Sequence, residues 1–484
     1  MSTRPHLTIL LRCSAGRDLL VSYDAAVSES GLRLAREKMT AAGVDPVAID
    51  VFAHYYRLVE TGESGMIPES SIEPLDMPTL AAVSVDESVA LDAIRSTAVI
   101  KLNGGLGTSM GLDRAKALLP VREGLTFLDV IARQVLALRA RYDARLPLIF
   151  MNSFRTSEET LAALQGYPDL PVDGLPLEFI QNKEPKLLAD TLEPVAWSAE
   201  PSLEWCPPGH GDLYTALLGT GLLERLAESG YRHVFVSNSD NLGAVPDSRV
   251  AAWFADSDAP FAIEAVRRTA SDRKGGHFAI RKSDDRIVLR ETAQTLPEDK
   301  AALADLTRHR YCSTNSLWFD VAAMREELER RHGVLGLPLI KNVKRVDPAD
   351  PTSPKVVQIE TAMGAAIELF EGARTIEVER DRFVPVKSTN DLLVLRSDCY
   401  ELDENAILHQ TTPTLPYVDL DPAHYSLLAD FDARFADGIP SLREAHTLVV
   451  NGDWTFSKGI TVVGDASLDD DGGPSRVEAG AILG

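Results

Sequence analysis

Apolar residues along the 484-residue chain fall into two alternating kinds of run. Short apolar stretches occur at Thr97–Leu102, Leu146–Met151, Leu177–Ile180, His233–Ser237 and Pro260–Val266, and these read as strands. Between them, Leu125–Arg139 and Leu213–Leu226 carry helical patterns; in the second, Leu213, Leu217, Leu223 and Leu226 fall near one face. Strands alternating with helices predict an α/β fold with a largely parallel sheet. Residues 1 to about 60 read mainly as helix, as the spacing over Val44–Tyr56 shows, and Gly62–Pro78, with Pro68, Pro74 and Pro78, reads as an extended connector. The tail changes period: Val450, Phe456, Val462 and Leu468 are spaced by six with glycine and small polar residues between them, which predicts one or two coils of a β-helix.

Length and composition bound what this chain can be. At roughly 150 residues per domain, about three domains are expected. The 45% hydrophobic and 25% charged residues are those of an ordinary globular protein. A formal net charge of −23 argues against nucleic acid or an anionic membrane as the main partner. It also means that any bound phosphate must be held by local cations and backbone N–H groups. Cys13, Cys206, Cys312 and Cys399 form no CxxC pair, so a zinc site or disulfide framework is not expected and a reducing cytosol is. The apolar run Leu7–Leu11, closed by Arg12, is too short for a signal peptide. No run approaches the roughly 20 residues of a membrane helix. The expectation is a soluble, cytoplasmic protein.

The chemistry gathers in four stretches. The first strand runs into Asn103–Gly111, rich in glycine, with Lys116 behind it. Glycines let N–H groups approach phosphate oxygens, and a nearby lysine offsets their charge. Gly105, Gly107 and Gly111 make a weak dinucleotide fingerprint, but Pro120 interrupts and the next helical pattern starts only near Leu125. A P-loop requires GK[ST], and the chain has Ala115-Lys116-Ala117. A nucleotidyltransferase loop and an ordinary βα turn remain. The second stretch, Trp205–Asp212, holds Gly209, His210 and Gly211 just before a helix; Asp212 is a suitable N-cap and the helix start a suitable anion site. The third, Val234–Gly243, places Asp240 at the exit of a strand, where open α/β sheets bind ligands and a carboxylate can hold Mg²⁺. The fourth, Arg382–Asp391, puts Lys387 before a helix starting near Thr389. Taken singly, each stretch could be a plain turn or a solvated surface.

Together these stretches resemble the eukaryotic-type UTP–glucose-1-phosphate uridylyltransferases. The resemblance runs from about Ile72 to Leu402 through KLNGGLGTSMG (101–111), GLTFLDVIARQ (124–134), LIFMNSF (148–154), PPGHGDLYTAL (207–217), VFVSNSDNLGA (234–244), KGGHF (274–278), STNSLW (313–318), QIETAMGAAIELF (358–370) and DRFVPVKSTNDLLVLRSD (381–398). It implies a helical segment and connector over 1–95, a catalytic domain over 96–400 with a mixed nucleotidyltransferase-type sheet flanked by helices, and a linker with a short left-handed β-helix over 401–484. It implies that Leu102, Asn103, Gly104 and Gly105 line the nucleotide, that Lys116 and Lys387 act on its phosphates, and that Gln181 and Gly209 read the uracil. His210 would touch the sugar phosphate, Asn238, Gly276, Glu291 and Asn315 the hexose, and Asp240 the metal. Two segments depart from the family pattern: Ser313–Trp318 replaces N-T-N-N-L-W, and Asn182–Lys186 stands where Tyr-Pro-Arg is usual.

The implied reaction is attack by a phosphate oxygen of glucose 1-phosphate on the α-phosphorus of UTP, in line, with Mg²⁺ assisting and pyrophosphate leaving. The nucleophile is already an anion, so no general base is needed; the task is to bring two polyanions together. Alternatives are the same reaction on galactose or N-acetylhexosamine 1-phosphate, and a non-catalytic nucleotide-sensing protein. A monomer or small homo-oligomer is expected.

Overall fold

The structure, a computed structural model, describes residues 10–11, 19–20, 25–63, 65–269, 272–273 and 275–484. Cys13, Lys274, the start of the Leu7–Leu11 run and most of residues 1–24 lie outside the described residues; within the stretch 1 to about 60 expected to be mainly helix, Leu10–Leu11 and Leu19–Leu20 instead pair as short antiparallel strands. The chain divides into two compact units: residues up to 65 with 182–215 and 332–362, and residues 66–181 with 216–331 and 363–484.

The first unit is built on the helices Ala25–Ala41 and Pro46–Glu60. The second starts sharply because Asp45 accepts a hydrogen bond from Val47 N and Pro46 presets the first turn. Its Phe52, Tyr55 and Tyr56 are buried. The Tyr55 and Tyr56 hydroxyls donate to the carbonyls of Leu337 (3.0 Å) and Leu192 (3.1 Å), so each ring is buried with its polar end satisfied. Strands Leu187–Leu188, Lys355–Glu360 and Ile340–Arg345 form an antiparallel sheet in the same unit.

The second unit carries a seven-stranded sheet of β1 (Thr97–Asn103), β2 (Leu148–Asn152), β3 (Glu178–Ile180), β4 (His233–Asn238), β5 (Phe261–Arg267), β6 (Tyr311–Asp320) and β7 (Arg374–Glu377). Its order is β7-β5-β6-β4-β1-β2-β3. Every pairing is parallel except those of β6, which runs against both β4 and β5. The five strands expected from apolar runs are all present, within two residues at each end. β1, β2 and β4 are buried almost throughout, as strands covered on both faces must be. Helix α1 (Phe127–Tyr142) is opened by a capping box between Thr126 and Asp129 and buries Phe127, Leu128, Ile131 and Val135.

Two local expectations differ from what is observed. The helical pattern over Leu213–Leu226 is two helices, Asp212–Gly219 and Leu222–Glu228, because Gly221 takes a left-handed conformation (φ 64°) between them. Asp212 opens its helix, but its carboxylate accepts from the backbone N (2.6 Å) and Nδ2 (2.9 Å) of Asn182. At the C-terminal end, β8 (Tyr417–Leu420), β9 (Ser441–Val450), β11 (Thr461–Leu468) and β13 (Ile482–Leu483) form one parallel sheet, and β10 (Trp454–Phe456) with β12 (Ser475–Val477) another. The chain alternates between these two separate small sheets. Val450, Phe456 and Val462 are buried at the six-residue spacing seen in the sequence.

Candidate active site

Within the second unit, the carboxyl ends of β1 and β4 lie side by side, with Leu102 opposite Asn238 in parallel register. The glycine loop leaves β1 there. It closes on itself through the bridge between Leu106 and Ala115 and the bond from Lys116 N to Gly105 O. Short 3₁₀ turns and a small hairpin, Pro120–Arg122 with Leu125–Thr126, follow, and the next α-helix begins at Phe127, so no α-helix N-terminus meets the loop as a dinucleotide fold requires. Asn103 is buried: its Nδ2 donates to Asn152 Oδ1 (2.8 Å) and Thr160 Oγ1 (2.9 Å), while Ser239 Oγ donates to its Oδ1 (3.3 Å). Its side chain therefore holds the loop in place. Gly104 packs on the side-chain amide of Gln181; a Cβ there would stand 2.7 Å from both amide heteroatoms. The two residues meet only because position 104 has no side chain.

Lys116 reaches across to the exit of β4. Its Nζ lies 2.6 Å from Asp240 Oδ2 and also donates to the carbonyl of Val386. Val386 N in turn donates to Asp240 O (3.1 Å). The glycine loop, the Asp240 turn and the segment that ends in Lys387 are thereby tied to one point. Ser388 caps the helix Thr389–Arg396 in a box with Asp391, and Lys387 N donates to Asp391 Oδ2 (2.8 Å). The Lys387 side chain is exposed, and its ammonium pairs with no carboxylate among the described residues.

The residues expected to bind the hexose lie on two strands and at the end of a hairpin of the second unit. Asn238 ends β4. Asn315 lies in a bulge of β6, where the register against β5 shifts between Ile263 and Ala265. Its backbone is left-handed (φ 56°) and its N–H donates to Ser313 Oγ (3.0 Å); bulges of this kind re-aim side chains next to sites. Gly276 and Glu291 face one another at the end of the hairpin His277–Arg281/Arg286–Arg290, and a Cβ at 276 would meet Glu291 Oε2 at 2.7 Å. Burial raises the Glu291 carboxyl above the ordinary range, and the Lys387 ammonium works against that shift. Gly209 and His210 belong to the first unit. There Gly209 is left-handed (φ 80°), and a Cβ on it would stand 2.6 Å from the Thr361 carbonyl.

Several supporting residues escape a reading of motifs. Lys101 is buried inside β1 and donates to Ser237 Oγ and the Ala244 carbonyl, both at 2.7 Å, closing the loop that carries Asp240. Burial, then Arg382, push its ammonium down to about 7. Arg382 forms a buried ion pair with Glu264 (2.8 Å), which also accepts from Trp318 Nε1 (2.9 Å). Asn241 accepts from Val384 N (2.8 Å) and donates to Arg382 O (3.2 Å), zipping the Asp240 turn to the Lys387 segment. The available signal was position: Asn241 follows Asp240, and Arg382 opens the motif that ends in Lys387.

A mixed α/β sheet with lysines, one carboxylate and a glycine loop at the carboxyl ends of its strands defines a nucleotide-handling α/β protein. The family model described as UTP--glucose-1-phosphate uridylyltransferase matches residues 49–463. A curated enzyme of that name from Solanum tuberosum is 33% identical over 445 residues, 89% of this chain and 91% of the relative. A probable one from Schizosaccharomyces pombe is 35% identical over 379 residues, 77% and 73% of the two chains. Among solved structures, the UDP-glucose pyrophosphorylase of Leishmania major, described in open and closed forms, superposes with a TM-score of 0.88 at 41% identity, covering 94% of this chain and 98% of that one. A Trypanosoma brucei structure titled UDP-glucose phosphorylase gives a TM-score of 0.88 at 40% identity and the same coverage. The chain belongs to the UTP–glucose-1-phosphate uridylyltransferase family.

Proposed function

We propose that the protein transfers the uridylyl group of UTP to glucose 1-phosphate, giving UDP-glucose and pyrophosphate. The observation that carries this reading is the convergence of Lys116, Asp240 and the Val386–Lys387 segment at one point beside the glycine loop. Lys116 and the loop N–H groups receive the β- and γ-phosphates. Lys387, whose ammonium forms no salt bridge among the described residues, would meet the α-phosphate as charge builds there. In the second unit we assign Gln181 to the uracil and Asn238, Gly276, Glu291 and Asn315 to the hexose hydroxyls; in the first unit we assign Gly209 to the uracil and His210 to the sugar phosphate. This placement concentrates positive charge where two polyanions meet, although the whole chain carries −23.

Asp240 is the residue we assign to Mg²⁺. The described residues contain no group of three or more His, Cys, Asp or Glu that could cage a metal. One carboxylate at a strand exit suits a hard cation that keeps its waters and shares phosphate oxygens. Bound there, Mg²⁺ would supply charge neutralisation at the phosphates. Asp240 would hold the ion in place of Lys116, and the Lys116 ammonium would then be available to phosphate.

We further read the alternating parallel strands β8–β13 as a short left-handed β-helix, and keep the division into 1–95, 96–400 and 401–484. No described helix is long and apolar enough to cross a membrane; a cytoplasmic monomer or small homo-oligomer is our reading. The test is pyrophosphate release from UTP with and without glucose 1-phosphate and Mg²⁺, repeated with galactose and N-acetylhexosamine 1-phosphates. Release that needs both glucose 1-phosphate and the ion supports the reading. Preference for another sugar would move the substrate, and release with no sugar would overturn the transfer.

A further inference from the structure

Behind the Gly276/Glu291 end of the hairpin lies a buried charged cluster that the proposed chemistry does not use. His277 and Arg290 are both fully buried and stand directly opposite one another in the antiparallel register. Each is the immediate chain neighbour of a residue assigned to the hexose: Gly276 precedes His277, and Glu291 follows Arg290. Arg290 Nε donates to His277 Nε2 (3.1 Å). That nitrogen must therefore be an acceptor, so the proton of a neutral His277 sits on Nδ1 and donates to the Phe278 carbonyl (3.1 Å). Burial, then the neighbouring His309, push His277 down to about 3, which agrees with the neutral form. The His277 ring stacks on His309 with centroids 3.7 Å apart.

Glu69 closes the cluster from the connector. It accepts from Arg290 Nη2 (2.7 Å), Arg308 Nε (2.6 Å) and His309 Nε2 (3.0 Å). Burial alone would raise its carboxyl, but the bonds from His309 and Arg308 win and hold it at about 2. The same connector grips the residues after Glu291: Ile67 N donates to Gln294 O (2.8 Å), Arg290 Nη1 donates to Ile67 O (3.3 Å), and Gln294 Oε1 accepts from Glu291 N (2.8 Å). Glu291 thus has a fixed backbone on both sides, and its carboxylate is pressed against the bare face of Gly276. A largely buried, densely hydrogen-bonded network of this kind favours one geometry, and loss of a single partner leaves a charge stranded.

We propose that the Glu69–Arg290–His277–His309 cluster is a positioning device for the hexose pocket. It sets the orientation of Glu291 against Gly276, and so the affinity for the sugar 1-phosphate, without touching the substrate. The inference rests on the assignment of Glu291 and Gly276 to the hexose. The test is Glu69→Gln, which keeps the size of the side chain and removes its charge. The KM for glucose 1-phosphate is expected to rise about tenfold, with the KM for UTP within about twofold and kcat within about threefold. A merely structural role would move both KM values together or lower the amount of active enzyme alone; either result, or no change at all, overturns the proposal. Glu291→Gln is measured beside it. If Glu291→Gln leaves the sugar KM unchanged, the hexose assignment itself fails; if it raises that KM and Glu69→Gln does not, only the cluster's role fails. Should Glu69→Gln not fold, Arg308→Gln decides: it removes a half-exposed donor to Glu69 and is expected to raise the same KM about threefold, again without moving that for UTP.

Discussion

The ammonium of Lys116 lies 2.6 Å from the carboxylate of Asp240, so the cation we assign to phosphate and the carboxylate we assign to the metal neutralise one another. Both side chains are about one-fifth exposed, which makes the pair breakable by a polyanion and its counter-ion. Asp240→Asn should therefore separate binding from turnover. UTP binding in chelator is expected to be kept or tightened, because Lys116 is released, while Mg²⁺-dependent kcat falls by more than about 100-fold. Calorimetry with UTP and steady-state kinetics check the two halves; an active Asp240→Asn enzyme would remove Asp240 from the metal.

Lys387 makes the complementary case. Its backbone is fixed by Asp391 and its side chain is exposed, so truncation leaves the fold intact. Lys387→Ala is expected to lower kcat more than about 100-fold while the KM for UTP changes less than about threefold. A change confined to KM would place Lys387 in substrate capture and not at the reacting phosphorus.

Gly104→Ala tests the nucleotide half. The added methyl collides with the far end of a flexible side chain, the Gln181 amide, not with backbone. The chain should fold with nearly the wild-type Tm, and the KM for UTP should rise about tenfold as Gln181 is pushed aside. An unaltered KM would show that Gln181 does not read the base.

The first unit predicts a pH dependence of stability. Burial raises Asp212 to about 7 against the two bonds from Asn182, and burial with the nearby Asp212 raises Glu184 as well. Between the ordinary carboxylate range and pH 7, the unfolded chain has lost the Asp212 proton and the folded chain still holds it. The folded state binds more protons there, so this contribution to stability falls as pH rises from about 4 to 7. Asp212→Asn should flatten that decline, gaining about 3 °C or more on the wild type between pH 5 and pH 7. Parallel melting curves at the two values would show the opposite if Asp212 ionises freely in the folded protein.

The strands β1 to β5 were legible because each is a run of apolar residues. β6 was not: Ser313, Thr314, Asn315 and Ser316 interrupt its apolar positions, and what makes it a strand is the partners on either side. The break at Gly221 was hidden in leucines that keep helical spacing across it. Lys116, Asp240 and Lys387 could be picked out as chemistry-bearing residues in their motifs. Their convergence, the internal commitment of Asn103 and the burial of Lys101 depend on contacts between segments far apart in the chain.

β4 pairs with β6 only as far as Val236 opposite Leu317, then continues to Asn238 beside β1, while the pairing of β6 with β5 is broken by the bulge at Asn315. The sheet thus unzips at its own centre. A fork of that sort is a property of the frame, so Asn238 and Asn315, the residues assigned to the hexose that lie on it, would keep a spacing that no surface insertion can alter. Adjustable contacts to the sugar would then come from the Gly276/Glu291 end of the separate hairpin.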